Sequence, residues 1–97
     1  MQWSIERRRQ SHDPYSEHLK CSLTGVGAVY DASLKESAGV RRTTRGGATR
    51  TELSAFDPPL QGVYHWDAET EQPHVVICWR EEEDGPLREH TVMLGVS

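Results

Sequence analysis

The sequence predicts an all-β or β-rich α+β domain, with about six antiparallel strands forming a small sandwich or barrel. Three observations point there. Several short runs alternate apolar and polar residues with the two-residue period of a strand that buries one face. Gly, Pro and Asp fall between those runs, where turns need them. The densest β-branched and apolar run, His-Val-Val-Ile-Cys-Trp-Arg over 74–80, is followed by a second of like character over 91–97.

Taken in order, residues 1–7 alternate and place Trp3 and Ile5 on one strand face. Residues 10–17 are polar, contain Pro14 and read as a loop. From 18 to 30 the apolar positions run Leu19, Cys21, Leu23 and then change phase to Val26, Ala28, Tyr30. The change falls at Gly25-Val26-Gly27 and marks a β-bulge or a sharp bend. Residues 31–39 allow one short helix over 32–38, with Asp31 as N-cap and Gly39 as stop; its alternative architecture is a single curved sheet with that helix packed on one face. Residues 40–50 read as a flexible basic loop, 51–56 as a strand ended by Asp57-Pro58-Pro59, and 61–67 as a further strand pairing with the C-terminal hairpin.

For that hairpin, a four-residue connection over 84–87 sets Glu83 opposite Arg88, Glu81 opposite His90, Trp79 opposite Val92, Ile77 opposite Leu94 and Val75 opposite Val96. With Tyr64 and Trp66 beside it, one apolar face results. Val76, Cys78 and Met93 make the other face fairly apolar too, as in a strand central to its sheet.

Ninety-seven residues with 35% hydrophobic and 27% charged content make one lean domain, 1–97. A chain this long buries about two thirds of its unfolded surface. No apolar run reaches the ~18 residues of a membrane span, and nothing resembles a signal peptide, so a cytoplasmic protein without membrane association is expected. In that compartment Cys21 and Cys78 are expected as buried free thiols, with a disulfide joining their strands as the alternative. The net charge of −4 hides an asymmetry: residues 1–50 hold nine Lys/Arg against five Asp/Glu, for +4, and residues 51–97 hold two against ten, for −8. Such a split implies a bipolar surface unless the halves interleave.

No motif for a cofactor stands out, and no metal site is expected: His12, His18, His65, His74 and His90 lack zinc-ligand spacing, and Gly25-Val26-Gly27 opens no phosphate loop. His65 and Asp67 share a strand face as a weak two-ligand arrangement. No catalytic residues are assigned. Two surfaces remain as candidate binding sites. Arg41, Arg42, Arg45 and Arg50 lie among Gly and Thr in a stretch suited to phosphate, with Arg7, Arg8 and Arg9 as additions if the first strand ends nearby. Glu81, Glu82, Glu83 and Asp84 make an acidic hairpin tip suited to a basic protein surface. The leading expectation is a small non-enzymatic protein-binding domain, an inhibitor or accessory factor, with an inhibitor of a nucleic-acid-handling complex of phage anti-defence type as one version. Alternatives are a nucleic-acid-binding protein using the arginine loop, and a small enzyme with His65 or His90 as base. A homodimer through the hairpin is compatible with the sequence.

Overall fold

Period-two alternation becomes strand over most of the chain. The computed structural model describes residues 2–95. Among these lie β1 (Gln2–Gln10), β2 (Asp13–Thr24), β3 (Ala28–Glu36), β4 (Val40–Arg42), β5 (Thr49–Ser54), β6 (Leu60–Trp66), β7 (His74–Arg80) and β8 (Leu87–Met93). They form two four-stranded antiparallel sheets, ordered β1-β2-β6-β4 and β5-β3-β7-β8. The arrangement is sandwich-like and all-β. Among the described residues no helix is long and apolar enough to cross a membrane.

Each sheet sends one face inward. The first gives Leu19, Cys21, Leu23, Val40, Leu60, Tyr64 and Trp66; the second gives Val29, Ala32, Leu34, Leu53, Val75, Ile77 and Val92. Trp3 of β1 meets Trp79 of β7 edge to face, ring centroids 5.5 Å apart, and links the sheets along one side. β7 is an inner strand, as its two apolar faces require. Of the expected apolar face, Tyr64, Trp66, Val75, Ile77, Val92 and Leu94 are buried and Trp79 packs against them, while Val96 lies outside the described residues.

Several expectations need correction. Residues 10–17 are mostly strand: β1 and β2 form a long hairpin turning at Ser11-His12, because alternation continues into charged residues that pair inside. Of the two readings for Gly25-Val26-Gly27 the sharp bend holds: Gly25 and Gly27, at φ 98° and 105°, turn the chain from one sheet to the other. The helix over 32–38 is absent: Ala32 and Leu34 continue the inward alternation of β3, and the irregularity sits at Asp31, whose φ of 50° marks a shift of register. β6 pairs with β2 and β4, not with the hairpin, so Tyr64 and Trp66 reach the shared core from across it. Finally, β7 and β8 pair with Val75 opposite Val92, Ile77 opposite His90 and Trp79 opposite Arg88; the connection is the six-residue 81–86.

Candidate binding surfaces

The basic loop of 40–50 is neither flexible nor a single patch. Between β4 and β5 it makes the third crossing between sheets, and hydrogen bonds hold it on both sides. Thr43 N donates to the Val63 carbonyl and Gln61 N to the Gly47 carbonyl, each at 2.8 Å, while Leu34 N donates to the Ala48 carbonyl at 2.8 Å. Arg42 is a structural tie. It points inward from β4, donates from Nη1 to the Tyr64 hydroxyl and from Nη2 to the Gln61 carbonyl, both at 2.9 Å, and from Nη2 also to the Gly46 carbonyl. Its guanidinium carbon lies 5.7 Å from the Tyr64 ring centroid, within cation–π range. Burial pushes the Tyr64 phenol up, against the pull of Arg42, so it remains a neutral acceptor.

Arg50 belongs to the other sheet, where Nε donates to the Glu52 carbonyl at 3.2 Å and Nη2 pairs with Asp57 at 3.5 Å. Arg41 and Arg45 stay exposed on the side of the first sheet. The four arginines are thus not brought together. Of the further arginines, Arg7 and Arg9 turn inward onto buried Glu17, whereas Arg8 faces outward opposite His18.

The acidic tip is exposed at Glu81, Glu82, Glu83 and Asp84. Glu81 pairs with Arg88 at 3.5 Å, in place of the expected His90. Glu83 and Asp84 join Tyr30, Asp31, Thr51 and Glu52 around a depression of about 290 Å³, so the tip extends an acidic patch on the second sheet. The registers Ala28 with Ser54, Tyr30 with Glu52 and Tyr30 with Arg80 put this tip, the 25–27 crossing and the turn after β5 at one end of the molecule.

That end carries a feature invisible in the sequence. Phe56 is 97% exposed and Val26 95% exposed. The turn under Phe56 is well ordered: Asp57 accepts from Ser54 N at 2.8 Å and from the Ser54 hydroxyl at 3.1 Å, and Phe56 N donates to the Ser54 hydroxyl at 3.3 Å. The Ser54 amide, then its hydroxyl and Arg50, hold the Asp57 carboxyl below the usual aspartate range. Its grip is therefore complete above that range and fades only in acid. A Ser-x-x-Asp spacing around Phe56 was the available signal, and it reads equally well as a bare turn.

His65 Nδ1 lies 3.1 Å from Asp13 on the neighbouring β2, not beside Asp67 as a ligand pair, and His90 sits on β8 in the other sheet. Among the described residues no group of three or more His, Cys, Asp or Glu is arranged to hold a metal ion.

Both cysteines are free and buried, Cys21 in the core of the first sheet and Cys78 in the second. Burial pushes the Cys21 thiol up to about 12 and raises Cys78 as well. Neither thiol is expected to react with a disulfide reagent at mildly alkaline pH until the chain unfolds in urea; fast labelling of the native protein would contradict this. Because both values lie above those of the unfolded chain, their contribution holds at neutral pH and is lost as alkalinity rises through the folded values.

These features define an antiparallel, sandwich-like all-β protein with eight strands among the described residues and charge segregated over its surface. Comparisons with protein-family models, with curated proteins and with solved structures find no match to the chain.

Proposed function

We propose that the chain is a small non-enzymatic protein-binding domain, an inhibitor or accessory factor, that docks through the end carrying Phe56, Val26 and the acidic tip. The observation that carries this reading is the almost fully exposed Phe56 on a hydrogen-bonded turn. Leaving a phenylalanine in water forgoes roughly 1.5–3 kcal/mol of burial. With its turn already formed, a phenylalanine has only two side-chain torsions left to order on binding, which suits an anchor residue. Val26 adds a second apolar point at the same end. The carboxylates of Glu81, Glu82, Glu83, Asp84, Glu52 and Asp31 define the complement: an apolar pocket with a basic rim, whose charges would speed association and select orientation.

The test is capture from cell lysate with quantitative comparison of variants. Phe56→Ser is expected to reduce retention of the partner about tenfold or more. Reversing Glu81, Glu82, Glu83 and Asp84 to Lys should weaken capture chiefly at low salt. Asp57→Ala leaves Phe56 in place but frees its turn, and should weaken capture as well. All three changes are at exposed or half-exposed positions, so unfolding midpoints should show the fold intact. Undiminished retention by Phe56→Ser and by the charge reversal would remove this end from the site.

A further inference from the structure

The outer face of the first sheet carries a separate surface. Side chains directly opposite on paired strands share a face, so Arg8 stands beside His18, Lys20 between Glu6 and Gln61, and Arg41 beside His65. Their in-between neighbours Leu19, Cys21 and Tyr64 are fully buried, which places this set outward. Two depressions lie here. One, of about 360 Å³, is lined by Arg7, Arg8, His18 and Lys20 with Glu6; the other, of about 270 Å³, is lined by His18, Arg45 and backbone-rich Gly46, Gly47 and Gly62. His18 borders both, so they form one track across the sheet.

Arg8, Lys20, Arg41 and Arg45 have no carboxylate partner among the described residues, whereas Arg7, Arg9, Arg50, Arg80 and Arg88 are each paired with one. In a chain of net charge −4, these four cations share one side of the first sheet, while Lys35, also without a carboxylate partner among the described residues, lies on β3 of the second. We infer that this face binds the sugar–phosphate backbone of a nucleic-acid duplex, independently of the Phe56 end. Guanidinium and ammonium groups neutralise phosphates, and the Gly46–Gly47 backbone lies open beside Arg45 for close approach. The choice of duplex rests on two points. Among the described residues this face presents no Phe, Tyr or Trp on which unpaired bases would stack. The edge strands carrying Arg8 and Arg41 lie roughly 14 Å apart at usual strand spacing, close to the ~12 Å width of the duplex major groove.

Fluorescence anisotropy with a short mixed-sequence DNA duplex tests this, across a salt series from about 50 to 200 mM. The wild type is expected to bind, with affinity falling steeply as salt rises. The triple variant Arg8→Gln, Lys20→Gln, Arg45→Gln should lose about tenfold or more at low salt and lower the log–log salt slope by about 2.7, the release expected for three phosphate contacts. Arg50→Gln, on the other sheet, should leave binding unchanged. Matching thermal unfolding of the variants would establish that the sheet is intact. Absence of binding at low salt would overturn the inference, as would equal affinity in wild type and triple variant. Tighter binding to single strands, or to vesicles of anionic phospholipid, would overturn it in favour of a different occupant. Since Phe56→Ser leaves this face untouched, its effect on protein capture and the duplex titration succeed or fail separately.

Discussion

Glu17→Ala is expected to lower the stability of the fold by about 3 kcal/mol, the low end for stripping a buried ion pair of one partner. Glu17 is 1% exposed, at the end of the sandwich remote from Phe56. Its carboxylate accepts from Arg7 Nη2 at 3.0 Å and Nε at 3.3 Å, lies 3.5 Å from Arg9 Nε and accepts from Gly95 N at 3.4 Å. Removing it leaves the Arg7 guanidinium without this carboxylate and opens a gap beneath it. The low end applies because 28% of the Arg7 side chain is already exposed and can hydrate. Urea unfolding would read the loss as a lower midpoint at constant slope. Replacing the pair by Glu17→Leu with Arg7→Met should cost much less than Glu17→Ala, since apolar side chains of similar volume take the place of the ion pair. A loss below about 1 kcal/mol for Glu17→Ala would show that the pair contributes no more than a surface contact.

The second large effect concerns Arg42 and Gly62. Arg42→Ala removes three hydrogen bonds and the stack on Tyr64, and is expected to cost about 2–4 kcal/mol. Gly62 is glycine because the guanidinium lies against it. A Cβ there would overlap Nη1 of Arg42, come within 2.8 Å of its Cζ and 3.2 Å of the Tyr64 ring. Gly62→Ala should therefore displace Arg42 and cost nearly as much. In a double-mutant cycle the two changes together should be little worse than Arg42→Ala alone, a coupling above about 1 kcal/mol. Simple additivity would mean that Gly62 is required for some other reason.

Which parts of this could be read from the chain follows from what alternation records. Alternation assigns faces, so the core residues Tyr64, Trp66, Val75, Ile77, Val92 and Leu94 were identifiable. It does not assign partners. The true β7–β8 register differs from the expected one by four residues, and any even shift leaves every side chain on its own face. Likewise nothing in 61–67 says whether Tyr64 approaches the hairpin from beside it or from across the core. Charged residues on an inner face break the pattern, so alternation alone ends β1 at Arg7 and starts β2 at His18. Asp31 disguised β3, because a bulge shifts the phase by one and makes a strand look helical over a few residues. Among the arginines, type and spacing could not separate Arg42, a tie within the fold, from Arg45, exposed on its surface. Only the fold reveals that Arg8, distant in sequence, shares a side with Arg41 and Arg45.

The crossing at Gly25 and Gly27 has a consequence for how the chain is made. It sends β2 and β3 to opposite sheets before either has its later partner. Leu19 waits for Gly62 and Leu34 for Ile77, each roughly forty residues downstream. Synthesis thus delivers the β1–β2 hairpin first, with Trp3, Ile5, Leu19, Cys21 and Leu23 uncovered. That early ribbon cannot close by recruiting its neighbour, and exposed apolar hairpins invite association with other chains. On the same ribbon Arg7 and Arg9 are taken up by Glu17 of β2, which leaves the outward-facing Arg8 as the charge that discourages edge pairing between nascent copies.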